Sequence, residues 1–391
     1  MINNIWGLLI LPLLTTAFLY LSKYRRNVVW QEYLLLWGVS CLAIFMSQMI
    51  VEHAGKTDTE FWGFNSVSAY YDEPYQYWTT CSESYACGTS CTGSGKNRSC
   101  STRYCTRTYP CTKWAGDEAF ITDQNGNVRA TPKRRFESIA KKWGERKFVE
   151  LYREKKDKIQ TDGDRYTTHW PGTWESADPL TYEHTYENRV NNSSSIVFRE
   201  VSEDAVEKMK LVNYPEISED CKQTSVIDNS GKTWPQADAY FQYLNGVLGP
   251  KRFGKVFVMI FRGTDRSTAL WQKDFWKNGN KNEFNICIGA DKEGKILWGE
   301  VFSWTEKDEL RIEARDYIEQ KLGSLTEDNL IAFGKYCETL LTTGFVKPEF
   351  TEKFSHLSVE PSTTSKVVVF IVILLLCAGI ATYVIKNNFN E

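Results

Sequence analysis

The chain lacks the short motifs that mark the common catalytic sites. There is no HExxH, no GxxxxGK[ST] loop, no GxGxxG turn and no GxSxG elbow. Their absence removes the zincin arrangement, the usual phosphate and dinucleotide cradles, and the α/β-hydrolase nucleophile. Histidine is scarce: His53, His169, His184 and His356 are all there is, so a base for nucleophilic catalysis has few sources. His169 and His184 lie in a Thr- and Tyr-rich region where either could ligate a metal, although a solvated surface histidine is the more ordinary role. A surplus of one charge is missing too. Lys and Arg number 47 against 49 Asp and Glu, which excludes the global basic field of a nucleic-acid binder, and no nucleic-acid partner is expected. No CxxC pair occurs and no histidine lies between Phe61 and Thr168, so zinc-ligand spacing is absent. No metal and no cofactor is expected.

What is present is a globular composition, 42% hydrophobic and 25% charged, interrupted by three uncharged apolar runs. Residues 5–21, 33–51 and 367–385 each have 17 to 19 residues, the length a helix needs to cross the hydrocarbon core. The first has no basic residue before it and no small-residue cleavage site after it, unlike a signal peptide. Two N-terminal transmembrane helices and one C-terminal one are therefore expected, with the lipid bilayer as a partner. Lys23, Arg25 and Arg26 come directly after the first run, and basic loops stay cytoplasmic. This orientation puts the loop 23–32 and the C-terminal tail in the cytoplasm, and residues ~53–366 outside.

Six of the eleven cysteines crowd into one segment: Cys81, Cys87, Cys91, Cys100, Cys105 and Cys111. Their neighbours are Ser, Thr, Gly and Tyr, which cannot bury a core, so disulfides are the expected way to order it. The spacing does not choose among fifteen possible pairings. Disulfides require an oxidising compartment, in agreement with the outward orientation. Cys41 and Cys377 lie in apolar runs, and Cys221, Cys287 and Cys337 leave at least one thiol free or joined to another chain.

Periodicity divides the remainder. Residues 60–78 are aromatic and acidic, suited either to the headgroup level or to packing on the displayed domain. Residues 133–158 hold eleven Lys/Arg against five Asp/Glu, with Phe136, Ile139, Ala140 and Trp143 at helical spacing, and Phe148, Leu151 and Tyr152 after Gly144. This predicts two short amphipathic helices or one broken one, either a solvated face or a patch for anionic lipid or another polyanion. Short strands are expected over residues 165–200. Asp162-Gly163-Asp164 reads as a turn rather than a calcium loop, and Asn97, Asn191 and Asn192 fit the glycosylation sequon.

The last third carries the clearest pattern. A helix opens at Pro235 and stops at Gly249, and the run Val-Phe-Val-Met-Ile-Phe at 256–261 is a strand buried on both faces. Ser267 starts a helix reaching Trp276. Residues 284–288 and 296–304 form a hairpin, and two helices come after it, the second opened by a Ser324/Glu327 capping box. The expected fold class is a mixed α+β or α/β one, with three transmembrane helices flanking a cysteine-rich segment and a sandwich-like α/β domain. The expected divisions are residues 1–52, two spans with their basic loop; 53–114, the aromatic and cysteine-rich segment; and 115–213, a mixed helical and β region. Then come 214–345, the α/β domain; 346–366, a linker; 367–385, the last span; and 386–391, the tail.

That order of elements over residues 214–345, with residues 254–261 and 284–298 as its best local matches, resembles the TPM domain family. The resemblance implies an exported, membrane-tethered α/β domain with a central sheet between helices, concerned with maintaining protein complexes of the envelope. Some members of that family are acid phosphatases. The residues that could carry such chemistry lie after the 256–261 strand: Asp265 as a metal ligand or acid/base, Arg262 and Arg266 for a phosphate, and Asp274 and Asp291 as partners. The competing role for Asp265 is a helix cap between surface arginines. With no catalytic constellation, the leading expectation is a non-enzymatic ectodomain with a structural or protein-interaction role in an envelope or virion assembly. The alternatives are the phosphatase-like hydrolase and a membrane-surface or polyanion binder acting through residues 133–158.

Overall fold

The computed structural model describes residues 5–21, 29–92, 99–144, 147–149, 164–193, 195–196 and 198–386. A 3-10 turn (Ile5–Leu9) leads into α1 (Ile10–Leu21), and α2 (Trp30–Lys56) is the next helix. Strands β1 (Thr57–Asp72), β2 (Tyr75–Thr92), β3 (Ser99–Ala115), β4 (Glu118–Asp123) and β5 (Val128–Thr131) come next. Then come α3 (Lys133–Trp143), β6 (Lys147–Val149), β7 (Arg165–His169), β8 (Pro179–Glu187) and α4 (Glu203–Met209). The C-terminal part runs β9 (Val226–Asp228), α5 (Pro235–Arg252), β10 (Lys255–Arg262), α6 (Ser267–Phe275), β11 (Glu283–Ala290) and β12 (Ile296–Ser303). It ends with α7 (Asp308–Gln320), α8 (Glu327–Gly344), α9 (Phe350–Lys353) and α10 (Thr363–Lys386).

Two of these helices, α2 and α10, are long and apolar enough to cross a membrane, and Ile5–Leu21 is a shorter apolar segment. The three pack together through Leu11, Leu19, Leu36, Ile44, Ile373 and Cys377, while Leu14, Phe18, Leu42, Ile50 and Leu375 on their other faces stay exposed. A helix apolar on all sides is suited to lipid rather than water. Trp37 Nε1 donates to Thr16 Oγ1 (3.0 Å), joining α2 to α1. The basic loop residues Lys23, Arg25 and Arg26 lie outside the described residues.

Strand β1 organises the first sheet because it is long enough to pair twice. Its first half, residues 57–65, pairs antiparallel with β8, and its second half lies between β4 and β7. A bulge between Ser66 and Ser68 marks the change of partner. The aromatic segment 60–78 is thus largely a central strand. Helix α3 covers this sheet with Phe136, Ile139, Ala140 and Trp143, the stripe its spacing predicts. The second amphipathic helix expected after Gly144 gives way to a strand. Residues 147–149 form β6, paired with β7, because the extended chain there completes the edge of the sheet; Leu151 and Tyr152 lie outside the described residues. Residues 198–200, expected to be strand, have no ladder partner and run as irregular chain.

The second sheet has the order β12-β11-β10-β9, with β9, β10 and β11 parallel and β12 antiparallel. Alternate residues explain the continuous apolar run of β10. Val256, Val258 and Ile260 face α5, α7 and α8, while Met259 and Phe261 pack toward Ala269 of α6 and Trp298. Helix α5 continues past Gly249 through Pro250 to Arg252. The cap of α8 is Thr326, whose hydroxyl accepts from Asn329 N (3.2 Å). Glu327, expected in a capping box with Ser324, instead accepts Ala237 N at the start of α5 (2.7 Å).

The sheets are joined at a glycine seam. Helix α5 lies so close to β1 that a Cβ on Gly249 would overlap the Gly63 carbonyl oxygen, and one on Gly246 would overlap the Asn65 side chain. Asn65 Nδ2 donates to Tyr243 O (3.2 Å) and Asn282 Nδ2 to Phe61 O (2.8 Å) across the same seam.

A buried ion pair ties α3 to the first sheet. Asp178 meets Arg135 (3.0 Å) and Lys222 (3.0 Å) and accepts from Ser66 Oγ (3.1 Å). Burial alone would raise its carboxyl, but the Lys222 and Arg135 charges outweigh that and hold it below the usual value. Asp178→Ala leaves the buried Arg135 guanidinium without its carboxylate and is expected to cost about 3–5 kcal/mol in thermal or urea unfolding. With a depressed folded pKa, the carboxylate's contribution is present above its unfolded value of about 3.9 and is lost as pH falls through the folded pKa. The variant should therefore lose this carboxylate's share of the acid limb of the stability profile.

Candidate functional site

Strands β2 and β3 form a two-stranded ribbon of their own, in register from Tyr75↔Ala115 to Thr92↔Ser99. At about 3.4 Å per residue it is roughly 60 Å long. No described residue of either strand is buried, and Tyr104 and Trp114 are each 67% exposed. A two-stranded hairpin is marginal alone, and here three nested disulfides supply the order: Cys81–Cys111, Cys87–Cys105 and Cys91–Cys100. All six cysteines singled out in the sequence are used. Cys221, Cys287 and Cys337 are free and buried, and burial pushes the Cys287 and Cys337 thiols up. Each cross-link of this kind contributes about 2–4 kcal/mol, so full reduction is expected to speed tryptic cleavage at Arg103, Arg107 and Lys113 roughly tenfold or more. The sheet cores should resist, as time-resolved proteolysis with fragment mass spectrometry would show.

The residues suited by type to phosphoryl chemistry are each engaged locally, although Arg262 pairs in register with Ala290, which brings its loop beside the turn of Asp291. Asp265 is exposed and caps α6: its carboxylate accepts from Ser267 N (2.8 Å) and Oγ (2.5 Å), and those bonds lower its pKa. Asp274 sits nine residues on, at the other end of α6, roughly 13 Å away along the helix, and pairs with Arg199 (3.7 Å). Asp291 holds its own turn, accepting from Lys295 N (2.7 Å). Arg266 pairs with Glu319. Arg262 is tied to Asp228 (3.1 Å), a side chain that also accepts from Trp234 Nε1 (3.1 Å) and from Ser230. Among the described residues no group of three His, Cys, Asp or Glu is arranged to hold a metal. His169 and His184 pair with Ser68 and Glu60 of β1, so about 27 Å of strand separates them. His184 stands edge-on to Trp62 (4.1 Å).

Three cations of the basic stretch are engaged within the chain. Lys133 donates to Tyr71 OH (2.8 Å), which holds its pKa up, Arg135 belongs to the Asp178 pair, and Lys142 donates to Ala177 O (2.7 Å). Residues 150–163 lie outside the described residues, as do Asp162, Gly163 and the Asn97 sequon.

Sequence reasoning missed the opposite end of the domain, where α2 passes directly into β1. The loop 188–193 forms a collar around both junctions. Asn188 N donates to Lys56 O (2.6 Å), Asn192 Nδ2 to Gly55 O (2.8 Å), and Ser193 bridges Val359 just before α10. Arg189 donates to the carbonyls of Ser355 (3.1 Å) and Leu357 (3.3 Å). The sequon amides of Asn191 and Asn192 are thus engaged inside the collar. Above it lies a polar seam. Glu60 meets Lys347 (3.5 Å) and Lys281 (3.9 Å), and Tyr214 OH donates to Glu283 (2.6 Å), whose carboxyl is raised by burial. Lys255, 1% exposed, donates to Thr181 Oγ1 (3.2 Å), and burial pushes its pKa down to about 7. A lysine near neutrality has the electronics of a nucleophile, but this one is sealed from solvent. Beside the seam is a cavity of about 410 Å³ lined by Asp58, Phe61, Asn191, Tyr214, Trp276 and Lys277 among others. Lone buried amide or carboxylate positions give no periodic signal, which is why the sequence did not mark this end.

No family model, no curated protein and no solved structure matches the chain.

Proposed function

We propose that the protein is a membrane-anchored ectodomain with a structural or protein-interaction role in an envelope or virion assembly. The observation that carries this reading is the disulfide-stapled ribbon, which extends roughly 60 Å with neither face covered by the rest of the chain. Such an arm is built to reach another molecule. The apolar bundle supports three spans, with the loop 23–32 and the C-terminus cytoplasmic and residues ~53–366 outside. Both ends that enter the globular part, Lys56 and Thr363, belong on one side of the bilayer in that arrangement. The disulfides favour an oxidising side.

A phosphatase-like alternative rests on the likeness of residues 214–345 to the TPM domain, which is drawn from the order α5-β10-α6-β11-β12-α7-α8. The engaged Arg262 and Arg266 favour the interaction reading over that one. The engagement of Lys133, Arg135 and Lys142 within the chain favours it over a polyanion binder acting through α3. A photo-crosslinker at Tyr104 in native membranes is expected to capture another protein. Capture of lipid alone, or phosphomonoester turnover by the full chain that disappears in Asp265→Ala, would overturn the proposal.

A further inference from the structure

The ribbon prolongs the first sheet. Strand β1 leaves α2 at Thr57, and its ladder with β4 ends where Asp72 stands opposite Glu118. The ribbon ladder begins where Tyr75 stands opposite Ala115, so two residues intervene on each strand and the register carries across. About 50 Å of strand separates Thr57 from Asp72, and the ribbon comes after it along the chain.

Alternate residues of a strand point to opposite faces, and residues directly opposite each other share one. By that rule every charged side chain described in the ribbon stands on one face: Glu83, Arg103, Arg107 and Lys113. Tyr85 and Tyr109 share this face, and both are exposed. The other face is exposed through Thr80, Ser82, Ser84, Thr106, Thr108 and Thr112, and it carries no charge. Glu83 pairs with Arg107. Arg103 and Lys113 are exposed and have no carboxylate partner among the described residues. Cations on β3 guard a free strand edge, but an edge guard does not require the opposite face to be bare. By sequence, residues 75–115 hold five Lys/Arg against one Asp/Glu, leaving 42 against 48 in the rest of the chain. The arm is opposite in sign to the body that carries it.

We infer that the charged face of the ribbon docks on an acidic surface of a partner protein. Arg103 and Lys113 meet its carboxylates, and Tyr85 and Tyr109 pack between them. This rests on the reading of the ribbon as an interaction arm. The length of strand between α2 and the ribbon favours a protein over the lipid phosphates of the chain's own bilayer. Complementary charge steers such an encounter and suppresses wrong partners.

The test places a photo-crosslinker in the full chain in native membranes, at Tyr109 on the charged face or at Tyr104 on the bare one, and maps the crosslinked peptides by mass spectrometry. Capture at Tyr109 is expected to exceed capture at Tyr104 several-fold, on partner peptides rich in Asp and Glu. Arg103→Glu with Lys113→Glu should lower capture about tenfold, and Arg103→Gln with Lys113→Gln several-fold. Raising the salt should lower it as well, and Arg103→Lys with Lys113→Arg should retain it. A non-reducing peptide map checks that each variant keeps its three disulfides. Equal capture from both faces, or capture unchanged by charge reversal in a ribbon with its disulfides intact, would overturn the inference and leave the interaction reading standing. Crosslinks to lipid or polysaccharide alone would overturn the protein partner. No capture at either position would defeat the interaction reading itself, so the two failures are distinguishable.

Discussion

Gly249→Ala is expected to destabilise the folded chain by about 3 kcal/mol or more, at or beyond the upper end of ordinary overpacking. The added methyl group would occupy the space of the Gly63 carbonyl oxygen, which is backbone and cannot rotate aside. Relief requires α5 to move off β1, and α5 also carries Phe241 and Leu244 of the core over β10. The loss should therefore appear in the whole cooperative transition, not in one loop. Gly116→Ala, where nothing lies within 4 Å, is the control and should stay within about 0.5 kcal/mol. Denaturant unfolding followed by tryptophan fluorescence compares the two, and equal midpoints would refute the seam.

Lys255→Met is expected to stabilise the chain at pH 7 by about 2–4 kcal/mol. The ammonium has a folded pKa of about 7 against an ordinary value of about 10.4, and each unit is worth about 1.36 kcal/mol. Between those values the unfolded state binds more protons than the folded one, so wild-type stability rises with pH from about 7 to about 10.4. Below that window the cost of burying the charge is fully present. Methionine removes the titration and fills the space beside Phe61 and Phe257, at the loss of one hydrogen bond to Thr181. The variant's stability should be flat across the alkaline window where the wild type climbs. A variant less stable than wild type at neutral pH would show that the Thr181 bond and the Glu283 charge outweigh desolvation.

How legible the molecule was depended on whether a feature repeats along the chain. The run at 256–261, the stripe on α3 and the hairpin at 284–304 are periodic, and each folds as its spacing predicts. Phe148 belongs to a strand because the edge of β7 offers hydrogen bonds that no local pattern reveals. Strand β9 has only three residues, too few for a period, yet it carries Asp228 to its ion pair with Arg262. The cysteines announced disulfides but not their pairing, which depends on the register of two long strands. The collar was invisible because it is made from single residues of three distant segments, Gly55, Asn192 and Val359. Asp265 lay where a catalytic group would, but the two bonds from Ser267 give it a capping role.

The most direct test of the membrane-anchored, outward-facing account is thiol labelling of sealed vesicles or intact cells with a membrane-impermeant maleimide, before and after reduction. The account predicts that the six cysteines from Cys81 to Cys111 label without permeabilisation and only once reduced. Labelling that needs permeabilisation but no reduction would place the ribbon inside with free thiols, and would contradict both the orientation and the stapled arm.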